Sequence, residues 1–309
     1  MKQEKIGIRY CGRFAPSPSG PLHFGSIVTA VGSFLEACAQ GGKWLVRIED
    51  VDVTRIRPGM DSLILRTLEN HGFVWTGEVV YQHCRIEAYR AALDDLCARK
   101  HVYECLCSRK EMGLWPANSE GEPVYPGICR HKGLNSVAGS TRRLNVQDAV
   151  ISFCDATYGI QVSELAREAG DFVLQRKDGL YAYQLAVVVD DAWQQITHVV
   201  RGSDLLTSTG RQIFLQKALD FPVPAYRHLP VVLNSFGKKL SKQNLAQPVE
   251  PKRESQTLCK ALSFLGQDPP DELGRARVED VWTWARSNWN PSRIPLYKQA
   301  RFPWANCQG

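Results

Sequence analysis

The chain has 309 residues, 44% hydrophobic and 23% charged, which is material for one large or two modest packed domains and excludes a disordered polymer. A net charge of +6 and an isoelectric point near 8.8 are mildly basic, compatible with a nucleic-acid partner without requiring one. No stretch approaches the ~18 apolar residues of a membrane helix, and residues 1–5 lead into no apolar run, so neither a membrane partner nor a signal peptide is expected.

In chain order, residues 6–14 read as a strand running into a Gly- and Pro-rich loop. From Gly25 the apolar positions Ile27, Val28, Val31, Phe34, Leu35 and Cys38 recur at helical spacing, and Gly41-Gly42 end the helix. Residues 43–48 form the next strand, closing on Glu49-Asp50. Strand, glycine-rich turn, helix and strand make a βαβ unit, the opening of a doubly wound nucleotide-binding sheet. Helices are expected over 60–72 and 86–100, the second with Tyr89, Leu93, Leu96 and Cys97 on one face.

From residue 104 to about 134, Pro116, Gly121, Pro123, Pro126 and Gly127 predict a loop-rich insert. Residues 183–191 are a buried helix or a buried strand, a choice periodicity does not make. Residues 196–201 read as a buried strand ending at Gly202. After Pro248 and Pro251 a helical tail carries Leu258, Leu262, Phe264 and Leu265, then Val278, Val281, Trp282 and Ala285. The expected architecture is α/β: a Rossmann-like doubly wound catalytic domain split into residues 1–103 and 181–247, an inserted subdomain over 104–180, and a short helical C-terminal region over 248–309.

Two motifs carry the chemistry. The first is Arg13-Phe14-Ala15-Pro16-Ser17-Pro18-Ser19-Gly20-Pro21-Leu22-His23-Phe24-Gly25-Ser26, and the second, far downstream, is Lys239-Leu240-Ser241-Lys242-Gln243. An enzyme that activates a carboxylate with ATP must hold a triphosphate against close-approaching backbone and stabilise the charge that builds at the α-phosphorus. Gly20 and Gly25 permit that approach, and a helix opening near Gly25 directs free amides at the phosphates. His23 is a candidate donor to a phosphate oxygen, and Lys242 a candidate cation over the leaving pyrophosphate. In isolation His23 reads as a plain loop histidine and residues 237–243 as a solvated basic turn. Their joint occurrence, in this order, favours catalysis.

Cys105-Leu106-Cys107 and Cys129 lie in the turn-rich insert, and three thiolates plus one further donor make a closed tetrahedral zinc site. Composition nominates His131 as the fourth ligand; unliganded thiols are the alternative. A metal would staple a segment with little core of its own. The other cysteines read as reduced core or surface residues, in keeping with a cytoplasmic location.

The two motifs resemble the nucleotide-binding signatures of class I aminoacyl-tRNA synthetases. Three further segments, Arg47-Ile48-Glu49-Asp50-x-Asp52, residues 178–191 and residues 196–206, resemble the glutamate and glutamine branch of that class. The likeness spans roughly residues 10 to 245. About 65 residues follow Lys242, fewer than a glutamyl-tRNA synthetase uses to bind an anticodon. With the Cys-x-Cys insert and the Lys239-Leu240-Ser241-Lys242 loop, this makes the chain similar to the glutamyl-Q tRNA(Asp) synthetase family. Two departures, Ser26 instead of a second histidine and Thr76 instead of an acidic residue, leave that likeness intact.

The resemblance implies ATP-dependent activation of glutamate without tRNA, with Mg2+ accompanying the ATP, and transfer to the queuosine base at the wobble position of aspartate tRNA. It implies that Arg13, Phe14, Ala15, Pro16, Ser17, Glu49, Tyr183 and Arg201 surround glutamate. ATP would be held by His23, Gly25, Lys239, Ser241 and Lys242, with His23 and Lys242 catalytic. For zinc it implies Cys105, Cys107, Cys129 and Tyr125. Glu49 suits an ammonium, and the Arg201 fork with Tyr183 suits a side-chain carboxylate. Structural pairing of Arg201 with Asp204 or Asp190, and of Glu49 with Arg47 or Arg55, is the competing reading. A truncated synthetase charging a 3′ end and a silent tRNA-binding module are the alternative functions. A monomer is expected.

Overall fold

Cys11–Phe14 forms strand β1, with all four residues buried. It lies in a computed structural model that describes residues 9–118, 121–134, 137–234 and 247–301. Helix α1 (Phe24–Ala39) follows, and β2 (Lys43–Ile48) returns beside β1 in parallel register. The helix ends where the sequence indicated. Gly41 adopts φ +57° and donates to Cys38 O at 3.0 Å, and Gly42 donates to Ala37 O at 2.9 Å, the double bond of a Schellman stop. A side chain at Gly42 would collide with the Tyr10 carbonyl, so this turn needs glycine.

Helix α2 (Met60–Asn70), β3 (Val80–Tyr81), α3 (Ile86–Ala98), β4 (Val102–Cys105) and the short α4 (Arg109–Met112) come next. Strand β5 (Thr141–Leu144), the hairpin β6 (Val150–Asp155) and β7 (Gly159–Glu164), the short α5 (Leu165–Glu168) and β8 (Val173–Gln175) complete the middle of the chain. Then come α6 (Tyr183–Trp193), β9 (His198–Gly202), α7 (Leu206–Ala218), β10 (Ala225–Leu229) and β11 (Val231–Leu233). Helices α8 (Glu254–Phe264) and α9 (Val278–Asn288) precede β12 (Gln299–Arg301), which pairs with β11.

Strand β2 also pairs in parallel with β3, and β10 pairs in parallel with β9 and β6. Thr197, just before β9, donates its amide to Cys11 O at 2.9 Å and so sets β9 beside β1. The parallel core therefore runs β3-β2-β1-β9-β10-β6, and the winding reverses between β1 and β9. A crevice at such a switch point, outside the carboxyl ends of the strands, is where doubly wound folds bind ligands.

Strand alternation sorts side chains between two cores. Phe14, Trp44, Val46 and Ile48 join α1, α8 and α9 on one face of the sheet, where Phe34, Trp44, Phe73 and Trp282 pack ring against ring. Cys11 and Leu45 join α3, α6 and α7 on the other. The C-terminal helices thus share a core with the first βαβ unit. The described residues of 104–134 are as turn-rich as expected, but the wider 104–180 stretch contributes strands to two sheets. Strands β4, β5 and β8 form an antiparallel trio, while the β6–β7 hairpin joins the central sheet through β10.

Candidate functional site

At the carboxyl ends of β1, β2 and β9 lies a pocket of about 940 Å3. Arg13, Phe14, Ala15, Pro16, Ser17, His23, Gly25, Glu49, Tyr183 and Arg201 all line it. These are all the residues expected around glutamate and ATP except Lys239, Ser241 and Lys242, which lie outside the described residues. Exposed Arg55 and Arg57 stand at its rim; Arg57 was not anticipated from sequence, and Arg55, expected as a partner for Glu49, makes no ion pair with it. The Gly/Pro loop is pinned to its neighbours by backbone bonds. Glu49 donates its amide to Pro16 O and Arg57 donates to Pro18 O, each at 3.0 Å.

His23 caps α1. Its Nδ1 accepts the Ser26 amide at 3.2 Å, so in the neutral ring the proton sits on Nε2, which makes Nε2–H the donor. Gly25 serves a second purpose here. A Cβ at that position would stand 3.2 Å from the imidazole, so glycine is what lets the ring fold over the helix start.

One wall is acidic. The side chain of Glu49 is 8% exposed and accepts from Arg47 Nη2 at 3.3 Å, one of its two anticipated structural partners. Burial pushes the Glu49 carboxyl above its ordinary range, Arg47 and Arg13 pull it back, and Asp191 adds to the rise. Asp191 accepts from Arg13 Nε at 3.1 Å and Nη2 at 3.3 Å, and lies 2.8 Å from Arg47 Nη1. Burial opposes ionisation of Asp191, but the two guanidinium groups outweigh it and hold its carboxyl below the ordinary value. Burial and the neighbouring Glu49 raise the Tyr183 phenol, which stays a neutral donor at the start of α6.

The opposite wall is basic. Arg201 is 4% exposed, yet no carboxylate oxygen lies within 4.0 Å of it among the described residues. The anticipated pairs with Asp204 or Asp190 do not form. Asp190 is engaged by Arg85 at 2.5 Å, by Tyr89 at 2.7 Å and by Gln82 at 3.0 Å. Arg201 instead donates to neutral acceptors: Gln212 Oε1 at 2.7 Å, Thr209 Oγ1 at 2.9 Å, His228 Nε2 at 3.1 Å and Leu205 O at 3.4 Å. A buried cation surrounded by neutral acceptors is poised for an anionic ligand. Thr209, Gln212 and His228 escaped sequence reasoning because no motif marks them; Asp191 lies within the 178–191 likeness, which gives it no role, and the adjacent Asp190-Asp191 pair, which requires cations, was the one available signal.

In the insert, the sulfurs of Cys105, Cys107 and Cys129 all lie within 4.8 Å of one another. Cys107 and Cys129 are 3.7 Å apart, and tetrahedral zinc with bonds of ~2.3 Å separates its sulfurs by ~3.8 Å. The Tyr125 hydroxyl oxygen is 3.3 Å from Cys105 Sγ, 3.8 Å from Cys107 Sγ, and accepts the Cys129 amide at 2.8 Å. The Arg143 guanidinium stacks 4.0 Å from the Tyr125 ring centroid, and Gly170, at φ +60°, leaves room for the Tyr125 backbone. His131 is exposed and stands outside this group, against the nomination from composition. The donor set and spacing are compatible with zinc.

The class follows from fold and site together. The profile of tRNA synthetases class I (E and Q), catalytic domain, matches residues 11–262, and the chain belongs to that family of ligases. A glutamate tRNA ligase from Elizabethkingia meningosepticum superposes with a TM-score of 0.76 at 24% identity, over 95% of this chain and 67% of that one, a likeness of fold. Within the class, the chain is 51% identical over 296 residues to the glutamyl-Q tRNA(Asp) synthetase of Aromatoleum aromaticum, covering 96% of this chain and 94% of that one. It is 50% identical over 286 residues to the namesake from Thiobacillus denitrificans, covering 93% and 95%. The chain belongs to the glutamyl-Q tRNA(Asp) synthetase family. No helix among the described residues is long and apolar enough to cross a membrane.

Proposed function

We propose that the protein activates glutamate with ATP and Mg2+, without tRNA in that step, and transfers the glutamyl group to the queuosine base at the wobble position of aspartate tRNA. The observation that carries this is the polarity of the pocket: buried Arg201 among neutral acceptors on one wall, the largely enclosed side chain of Glu49 on the other. Glutamate has the matching charges. Its ammonium meets Glu49, and its side-chain carboxylate meets Arg201 and the Tyr183 hydroxyl. Glutamine would leave the guanidinium without an anion. The names of the relatives support the acceptor.

The α-carboxylate attacks the α-phosphorus, the bond to the β-phosphate oxygen breaks, and pyrophosphate leaves. His23 Nε2–H and the amides opening α1 face the phosphates, and the Lys239-Ser241-Lys242 loop, catalytic through Lys242, neutralises the leaving group. A diol hydroxyl of queuosine then attacks the acyl carbon and AMP departs. Cys105, Cys107, Cys129 and Tyr125 would hold zinc, and four protein donors would make its part structural, a staple for the insert. The protein works as a cytoplasmic monomer.

The test is transfer of labelled glutamate to aspartate tRNA with and without queuosine, before and after periodate oxidises its diols, beside pyrophosphate exchange without tRNA. Transfer confined to queuosine-bearing, unoxidised tRNA is expected. Equal transfer to queuosine-free tRNA, or robust charging of glutamate tRNA, restores an ordinary synthetase.

A further inference from the structure

Behind Arg201 stands a buried chain of groups that no motif marks. His228, on β10, is fully buried. Its Nδ1–H donates to Asp155 Oδ2 at 2.7 Å, and its backbone amide donates to the same oxygen at 3.0 Å. The other oxygen of Asp155, at the end of β6, accepts the amides of Thr157 at 3.0 Å and Tyr158 at 2.9 Å. Asp155 is thus held as an anion pointing at one edge of the imidazole. That orientation decides the tautomer. With the proton on Nδ1, Nε2 is an acceptor, and it takes the Arg201 Nε–H at 3.1 Å. Thr209 Oγ1, 3.2 Å from the same nitrogen, accepts from Arg201 Nη2 at 2.9 Å.

We infer that Asp155 and His228 are positioning residues that set which edge of Arg201 faces the pocket, and so determine the preference for an acidic side chain. The inference rests on the proposed activation of glutamate. The geometry supplies the reason. With four of its five N–H groups engaged by neutral acceptors, Arg201 keeps one Nη1–H and its positive charge for a ligand, and the plane that carries them must be fixed before the ligand arrives. His228 holds Nε, Gln212 holds Nη1, and Thr209 holds Nη2, so the group cannot turn about its long axis. The neutral imidazole does this without adding a carboxylate beside Arg201, which would compete with the substrate. A protonated imidazole, or the other tautomer, would set two donors against each other at Nε.

The test compares His228→Asn with His228→Gln in glutamate-dependent pyrophosphate exchange. Asparagine reaches Asp155 but stops short of Arg201; glutamine places an acceptor near the position of Nε2. His228→Asn is expected to raise the glutamate KM about tenfold or more, with kcat and the ATP KM within about threefold and glutamate-over-glutamine selectivity reduced. His228→Gln should recover most of the loss. If His228→Asn does not fold, Asp155→Asn, which permits the opposite tautomer, should give the same KM change. A glutamate KM within about twofold of wild type in the folded variant overturns the inference. So do a parallel fall in every parameter together with melting temperature, equal defects in both His228 variants, and failure of both His228→Asn and Asp155→Asn to fold. Wild-type protein lacking glutamate-dependent exchange would instead overturn the proposed function.

Discussion

Glu49 ionises against its surroundings, and glutamate binding should report that. Its carboxyl is raised in the folded protein chiefly by burial, so the group favours the fold below its unfolded pKa, and that contribution is lost as pH rises through the folded value. An ammonium arriving beside it reverses the preference, because the cation stabilises the ionised form and binding then releases a proton. Glutamate affinity should therefore increase with pH through the raised pKa of Glu49, then level off. The glutamate KM, measured from pH 5 upward in pyrophosphate exchange, should show this acid limb in wild type. In Glu49→Gln the limb should vanish and KM should be uniformly high. A limb of the same midpoint in Glu49→Gln would assign the proton elsewhere.

Among the elements, α6 shows how a short segment serves two sides. Residues 183–191 read equally as a strand, but in a helix adjacent side chains diverge by about 100°. Asp190 accordingly turns to Gln82, Arg85 and Tyr89 near α3, coming only to 3.9 Å of Arg47 Nε, while Asp191 turns to Arg13 on β1 and lies 2.8 Å from Arg47 on β2. In a strand the two carboxylates would face opposite sides of a sheet and could not both reach these partners. The cysteine insert depends on a different device. With few apolar side chains of its own, its cluster centres on Cys105, Tyr125 and Cys129. Purified protein should carry about one zinc per chain, and Cys107→Ser should lower that content and loosen the insert to proteolysis. Tyr125→Phe should weaken retention against a chelator, whereas His131→Ala should leave it unchanged; the reverse pattern would move the fourth ligand to His131.

At the scale of the molecule, charges buried between β1, β2 and α6 tie the halves of the catalytic fold together. Arg13 and Arg47 are buried, and Asp191 is the carboxylate they share. Asp191→Asn leaves two guanidinium groups undercompensated, and a loss of ~3–5 kcal/mol in unfolding free energy is expected from urea melts. Because the Asp191 carboxyl is depressed in the folded state, its contribution is present above the ordinary aspartate pKa of ~3.9 and is lost as pH falls through the depressed value. Acid unfolding of wild type should accordingly reflect this group, and the substituted protein should show less change in stability over that range. A loss under ~1 kcal/mol would mean that Glu49 and Asp190 suffice for the two arginines.

What the sequence determined alone is whatever local chemistry determines. Helical spacing from Gly25, the Gly41-Gly42 stop and the run over 43–48 predicted α1, its end and β2, because each depends on neighbours a few residues away. The motif at residues 13–25 and the cysteine spacing pointed to the pocket and the thiol cluster for the same reason: close backbone approach and metal ligation demand particular residue types. Tertiary structure decided the rest. Whether residues 183–191 form a helix, which carboxylate pairs with which arginine, and whether Arg201 meets an anion or neutral acceptors all depend on contacts across the fold. Asp155, Arg201 and His228 come from three strands, and only the parallel pairing of β10 with β6 and β9 brings them into line. Burial then makes each pairing consequential, since an ion or amide withdrawn from water must find its partner within the protein.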